Sequence, residues 1–189
     1  MNKTCFLHLN AFPGTGKLTI AKEICRQDNF RLIDNHATAN LIFTMARKDG
    51  KSPIPSQAWE AVLEIREVVM RYLPKIALPN LNFVFTHCLF EDNEDERAVQ
   101  EQVMDTANKH GSVFIPVNLI CDLKENQRRI ISPDREENKK MTDPEGLEEI
   151  HQHNLLKSNS PHFMELNVTH LQAKDSAQKI YEHILKIIN

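Results

Sequence analysis

Residues Leu7 to Thr19, LHLNAFPGTGKLT, constrain this 189-residue chain more than any other stretch. An alternating apolar run enters the tight turn Pro13-Gly14-Thr15-Gly16-Lys17, and the pattern after Lys17 reads as a helix. A strand that breaks into a glycine turn and restarts as a helix gathers backbone N–H groups and the positive end of the helix dipole in one small volume. Lys17 adds a mobile positive charge to that cradle. The expected ligand is a polyphosphate, held by Pro13, Gly14, Thr15, Gly16, Lys17, Leu18 and Thr19.

The remainder of the chain alternates strand and helix. Leu18 to Gln27 has helical spacing and ends at Asp28-Asn29. Phe30 to Ile33 is a second strand with Asp34 at its C-terminal end, and Ala37 to Arg47 is helical again. Asp49 to Pro55 is a loop. Ser56 to Leu73 reads as a long amphipathic helix with Ser56 as N-cap and Gln57, Glu60, Glu64, Glu67 and Arg71 toward solvent. Arg66 breaks that pattern, because it falls inside the apolar arc of Trp59, Val62, Val69 and Leu73. A buried charge needs a carboxylate, a carbonyl or an anionic ligand, so Arg66 is either paired in the core or part of a site.

Leu81 to Thr86 (LNFVFT) has the near-continuous apolar character of a central parallel strand and leads to His87. The acidic run Glu91 to Glu96 complements the N-terminus of a helix that continues to His110. Val113 to Ile120 is a fourth strand, in which Pro116 is expected at a bulge or irregular spot because it cannot donate to a ladder. Asp122 and Glu125 have capping-box spacing ahead of a helix carrying Arg128 and Arg129. Ser132 to Thr142 is nearly devoid of apolar residues, holds Arg135, Lys139 and Lys140, and is a candidate lid. Asp143-Pro144-Glu145 restarts a helix. Phe163 to Val168 is a fifth strand, and Ala177, Ile180, Tyr181, Ile184 and Ile188 mark a closing amphipathic helix. The pattern is that of an α/β chain with a parallel sheet covered on both faces.

A chain of this size fits one domain, and its 41% hydrophobic content supplies a core without staples. The net charge of −3, with both signs mixed, does not suggest a grip on nucleic acid or an acidic membrane. No apolar run approaches the ~20 residues of a membrane span, and MNKTCFLHLNAF lacks the apolar core of a secretion signal, so the expectation is a cytoplasmic protein. Cys5, Cys25, Cys88 and Cys121 are widely spaced and read as reduced, mostly buried thiols. His151, His153 and His162 have loose metal-ligand spacing without a supporting set and read as surface histidines.

The strict phosphate-loop pattern is G-x-x-x-x-G-K-[ST]; here Ala11 stands at its first glycine and Leu18 follows the lysine. The variant Pro13-Gly14-Thr15-Gly16-Lys17-Leu18-Thr19 resembles the Walker A loop of adenylate kinase and related nucleotide kinases. Phe12 to Thr19, Leu32 to His36 (LIDNH), Pro55-x-x-x-Trp59, Asn82 to Thr86, Ile130 to Arg135 (IISPDR), Met141 to Gly146 (MTDPEG) and Leu166 to Leu171 (LNVTHL) resemble, over nearly the full length, small bacterial P-loop proteins described as kinase-like or AAA-like.

That resemblance implies a three-layer α/β/α fold with a five-stranded parallel sheet in the order 2-3-1-4-5 and one domain over residues 1–189. A helical substrate-binding region at about 36–77 and a small helical lid at about 128–145 complete the implied plan. It also implies ATP with Mg2+. Thr19 would contact the inner phosphates, and Thr19 and Asp34 are the candidate metal positions. By the same resemblance to the wider superfamily of shikimate kinase, gluconate kinase and chloramphenicol phosphotransferase, Asp34 matches a carboxylate that acts on the acceptor hydroxyl or the metal. Arg128 or Arg129, and Arg135, match arginines that close over the transferring phosphate. The chain departs from nucleoside monophosphate kinases after the third strand, where Thr86-His87 replaces Asp-Gly.

Phosphoryl transfer requires alignment and charge neutralisation more than covalent work by the protein. The candidate catalytic residues are Lys17, Asp34, Arg128 and Arg135, with Arg128 also on the nucleotide. Asp34, His36, Trp59, Arg66 and His87 are the candidate acceptor contacts, and a histidine suits a general base. The leading expectation is a kinase, monomeric or homodimeric, of a small hydroxylated or phosphorylated acceptor. A nucleoside or nucleotide kinase is the rival within the class, with Arg66 on the acceptor phosphate. A nucleotide-binding regulator or weak ATPase is the rival outside it.

Overall fold

The computed structural model describes residues 3–26, 29–46, 53–133, 135 and 140–189. Its elements in chain order are β1 Cys5–Asn10, α1 Lys17–Ile24, β2 Phe30–Asp34, α2 Asn35–Ala46, α3 Ser56–Ile76, β3 Asn82–His87, α4 Glu94–His110, β4 Val113–Ile120 and α5 Leu123–Ile130. They continue with α6 Pro144–Ile150, β5 Met164–Asn167 and α7 Ala173–Ile188. The five strands form one sheet in the order β2-β3-β1-β4-β5, and every pairing is parallel.

All six residues of β1 are buried, as befits a central strand covered on both faces. Its period of two divides them between the layers. Cys5, Leu7 and Leu9 join Ile20, Ala21 and Ile24 of α1 and Ile180 and Ile184 of α7 in one core. Phe6 points the other way, into a second core with Phe83 and Phe85 of β3, Phe114 of β4, Met70 and Leu73 of α3 and Val103 and Ala107 of α4. At the C-terminal edge, Phe12, Ile130, Leu147 and Leu155 form a smaller cluster that seats α5 and α6 beside the glycine turn. Among the described residues no helix is long and apolar enough to cross a membrane.

Several local expectations are corrected. Ser56 opens α3 but does not cap it: Pro55 is the N-cap and no side chain bonds to that end. The helix runs to Ile76 with Pro74 inside its last turn, where the proline removes one i→i−4 donor just before the helix ends. Pro116 makes no bulge; β4 keeps continuous register with β1 from Val113 to Asn118, with His8 opposite Pro116. Pairing to β5 starts only at Val117, so the missing donor faces no disrupted ladder on that side. The Asp122–Glu125 capping box does not form; Asp122 makes no side-chain cap, and Glu125 binds Arg128 and Arg129. Asn93 caps α4 by accepting from the Asp95 and Glu96 N–H groups, and Asp143 caps α6 through the Glu145 N–H. Asp28, Arg47, residues 49–52 of the loop, and residues 134 and 136–139 of the lid stretch, Lys139 included, lie outside the described residues.

Candidate active site at the carboxyl edge of the sheet

The glycine turn leaves the end of β1 at the centre of the sheet. Gly14 and Gly16 adopt φ of +86° and +101°, the left-handed conformation that side chains resist. Gly16 is also the N-cap of α1, so the first free N–H groups of the helix open into the turn. Gly14 has a second reason to lack a side chain. A Cβ there would meet Asn126 Oδ1 at 2.8 Å and Ile130 Cβ at 3.2 Å, because α5 lies directly on the turn. The Ala11 N–H donates to the His87 carbonyl at 3.2 Å, which ties the turn to the end of β3.

Lys17 turns back onto its own loop, donating from Nζ to the Ala11 carbonyl at 2.8 Å and the Phe12 carbonyl at 3.2 Å. Burial pulls its ammonium down to about 8, and nearby Arg135 and Lys140 push it the same way against Cys88 and Asp34. The turn thus concentrates cations around one volume. Lys140 is buried despite its charge, and the Arg135 Nε donates to the Met141 carbonyl at 2.9 Å, which anchors this part of the lid stretch. Thr15 Oγ1 is buried in the turn without a hydrogen-bond partner.

The two arginines of α5 part company. Arg128, 71% exposed, pairs with Glu125 at 2.8 Å at the surface. Arg129 instead faces inward. It reaches Glu125 at 2.6 Å, the Thr15 carbonyl at 3.0 Å, and the Val168 and Thr169 carbonyls at 3.2 and 2.9 Å. Its guanidinium braces the glycine turn against the segment after β5. Asn126 and His151, which adjacent sequence does not mark, complete that support. Asn126 Nδ2 donates to His151 Nε2 at 3.0 Å, and the His151 ring stacks on Phe12 with centroids 4.1 Å apart. His151 is therefore part of the wall behind the turn and not a simple surface histidine.

Across the edge, Asp34 at the end of β2 accepts from Thr86 Oγ1 at 2.5 Å, its register partner on β3. The same Thr86 oxygen accepts from the Asn35 N–H at 3.4 Å, so one hydroxyl orients the carboxylate and the start of α2. His36 follows on the first turn of α2; burial lowers its imidazole to about 4, and its Nδ1 is buried without a hydrogen-bond partner. Asp34, Asn35, Thr38, Arg66 and His87 line a narrow cleft floored by Ile33, Val69, Met70 and Phe85, with a cavity volume of about 10 Å³. That is room for one water, so a larger guest needs α2 and α3 to part.

Arg66 is the unusual member. Its Nε and Nη1 are buried with no hydrogen-bond partner. Burial lowers the guanidinium pKa, opposed by Glu96, whose own carboxyl is raised by burial. Glu96 has left the solvated acidic face; it accepts from the Phe90 N–H. Trp59 stands apart from this cleft. It is 45% exposed and meets Phe43 edge-to-face at 5.0 Å, so it is not part of the buried arc of α3. Thr19 is exposed on α1 and Leu18 partly buried. A larger recess of about 420 Å³ at Phe90, Asp92–Asp95 and His153 lies at the acidic start of α4, away from the cations of the turn, and is open to solvent.

His87 lies at the inner end of the cleft and is bonded through Nδ1 to Nε2 of His8, 2.9 Å away on β1. Burial holds both rings in the neutral form, His8 at about 3 and His87 well below its usual value. Among the described residues no group of three or more His, Cys, Asp or Glu side chains could cage a metal. Asp34 is the carboxylate on this edge that could hold a metal ion whose remaining ligands are phosphate and water. Leu18 leaves no hydroxyl directly after the lysine.

No protein-family model matches the chain, and no curated protein matches it. Solved structures do. A Chloroflexus aurantiacus protein assigned to the kinases superposes with a TM-score of 0.71 at 12% identity over 98% of both chains. A gluconokinase from Sinorhizobium meliloti gives 0.68 at 9% identity, covering 100% of this chain and 95% of its own. The adenosine phosphosulfate kinase CysC of Mycobacterium tuberculosis, solved with AMPPNP and APS, gives 0.57 at 14% identity over 98% and 99%. The chain shares its fold with these proteins, and in it the fold is a five-stranded parallel sheet in the order β2-β3-β1-β4-β5 between helices.

Proposed function

We propose that the chain is an ATP-dependent phosphotransferase whose acceptor is a small molecule bearing both a hydroxyl and an anionic group. The observation that carries this reading is the pairing of two unlike half-sites on one sheet edge. One is a glycine turn near which Lys17, Arg135 and Lys140 gather; the other is a cleft that holds a fixed carboxylate, Asp34, and the Arg66 guanidinium, whose Nε and Nη1 are buried without a hydrogen-bond partner. A phosphate cradle alone would serve a nucleotide-binding regulator. Glu96 attracts Arg66 but accepts no hydrogen bond from Nε or Nη1, and those two buried donors call for acceptor oxygens that an anionic substrate supplies.

In this reading the turn amides and Lys17 hold the β- and γ-phosphates, and Lys17 leaves the Ala11 and Phe12 carbonyls to do so. Arg135 and Lys140 neutralise charge on the transferring group. Arg128 lies on the surface in this state and serves the nucleotide only by turning in with the lid stretch, while Arg129 positions the turn. Asp34 is the carboxylate that would hold a magnesium ion together with phosphate and water, and the ion would supply charge neutralisation on the phosphates. Asp34 orients the acceptor hydroxyl and takes its proton as the acceptor oxygen bonds to the γ-phosphorus and the bond to the β-phosphate oxygen breaks. His36 and Arg66 contact the acceptor's polar groups.

The test is transfer of label from [γ-32P]ATP to a panel of hydroxy acids, sugar phosphates, nucleotides and neutral polyols. Labelled product from an anionic member, lost in Asp34→Asn while the variant still binds ATP, is the expected result. Transfer to neutral polyols alone refutes the role of Arg66, and full activity of Asp34→Asn removes that carboxylate from the mechanism. A nucleotide kinase would be recognised by the nucleoside monophosphates of the same panel.

A further inference from the structure

The His8–His87 pair has no place in the chemistry above, yet it ends in the acceptor cleft. His8 is fully buried in the middle of β1, on the face that carries Phe6, and its ring lies against Phe114 with centroids 6.0 Å apart. Its Nε2 is 2.9 Å from His87 Nδ1, while its Nδ1 is buried with no partner. A bond between two imidazole nitrogens needs one proton between them, and two neutral rings have two protons to distribute. Only two arrangements exist. If His87 Nδ1–H donates, His8 must carry its proton on Nδ1, leaving a buried donor with nothing to receive it, and both rings adopt the intrinsically less stable tautomer. If His8 Nε2–H donates, the orphaned His8 atom is a bare nitrogen, both rings are in the preferred Nε2–H form, and His87 presents an N–H outward.

We propose that His8 is a positioning residue that locks His87 as a hydrogen-bond donor into the acceptor cleft, so that His87 recognises an acceptor oxygen and does not act as the base. The cleft then offers donors at Arg66 and His87 and a fixed acceptor at Asp34. That polarity selects a carboxylate or phosphoryl oxygen between the arginine and the histidine with a hydroxyl on Asp34, and it disfavours an amino alcohol, whose ammonium would meet two donors. The ligand class rests on the kinase reading above; the tautomer does not.

Long-range 1H–15N correlation on protein labelled with 15N-histidine reads the tautomer directly, without ligand and at neutral pH. The expected pattern is Nε2–H for both His8 and His87, and an Nδ1–H pattern for His87 overturns the proposal. His8→Phe removes the donor and is expected to release His87 into a tautomer mixture, whereas His8→Gln, which can still donate, is expected to restore the Nε2–H form. An unchanged His87 signal in folded His8→Phe refutes the locking role; should that variant not fold, the wild-type pattern still decides. With the phosphate turn filled by AMPPNP, titration with inorganic phosphate is expected to shift the His87 Nε2–H resonance and the Arg66 Nε–H resonance together. Locked tautomers with no such shift would leave the proton arrangement standing and sink the anion-recognising cleft.

Discussion

Replacing Arg66 by methionine is expected to stabilise the free protein while abolishing transfer to the acceptor. Both Nε and Nη1 of this arginine are buried without a partner, and the cleft around them is floored by Ile33, Val69, Met70 and Phe85. A buried donor left unsatisfied costs about 1–3 kcal/mol, whereas an apolar side chain of similar length fits such a floor. The loss of Glu96 attraction offsets part of this gain: without Arg66 the Glu96 carboxyl, already raised by burial, rises further. We therefore take roughly 1–3 kcal/mol as the net gain from two donors. For a domain of this size that is a rise of roughly 2–12 °C in Tm. Differential scanning calorimetry and urea unfolding at pH 7 measure it, and AMPPNP binding is expected to stay within about twofold of wild type, a factor below ~0.5 kcal/mol. Destabilisation by 1 kcal/mol or more would show that Arg66 is satisfied within the fold, and the case for an anionic acceptor would fall with it.

Three other perturbations have defined outcomes. With the Lys17 ammonium lowered to about 8, triphosphate binding at pH 8.5 should take up protons, because the bound anion raises that pKa; calorimetry in buffers of different ionisation enthalpy measures the uptake, and Lys17→Ala should lose both it and most of the affinity. Gly14→Ala combines a φ of +86° with a Cβ 2.8 Å from Asn126 Oδ1, so a loss of about 2–4 kcal/mol by denaturant unfolding is expected, and a neutral effect would mean that α5 does not rest on the turn. His8 and His87 are held neutral in the fold but titrate near 6.5 when unfolded, so the unfolded chain binds more protons as pH falls. Stability should drop by roughly 1.4 kcal/mol per pH unit for each ring below about pH 6.5, and unfolding curves in which His8→Phe fails to flatten this slope would exclude His8 as a source.

Apolar runs located β1, β3 and β4, because burial on both faces leaves a pattern that solvent-exposed segments do not share, whereas the edge strands β2 and β5, partly exposed, were placed by the alternation of strand and helix. Element ends shifted by a few residues where a local signal competed with packing, as at Ser56, whose hydroxyl lost the cap position to Pro55. The glycine turn and Asp34 were legible since each sits where a strand stops, and Thr86 follows from the register of β2 with β3. Arg66 was visible as a charge in the wrong phase of a helix. Trp59, placed in the same arc, lies against Phe43 of α2 and stays half exposed. The contributions of Arg129, Asn126 and His151 were not readable. They depend on α5 and α6 docking onto a turn more than 100 residues earlier, and Arg128 and Arg129 are indistinguishable until the face of α5 is known. His8 had one available signal, a histidine in the phase that Phe6 buries.

The brace at Arg129 also fixes when the site comes into being. It joins the Thr15 carbonyl to a side chain 114 positions later, and reaches a further 40 to the Thr169 carbonyl. Contacts at such separation form only after the intervening chain has been ordered. A growing chain that has passed Thr19 already carries its whole glycine motif, but it lacks the helix that presses on Gly14 and the carbonyls that hold Arg129 until residue 169 has been made. The motif is therefore made well before the residues that finish its cradle, so a nascent polypeptide that has not yet reached Thr169 should hold nucleotide weakly.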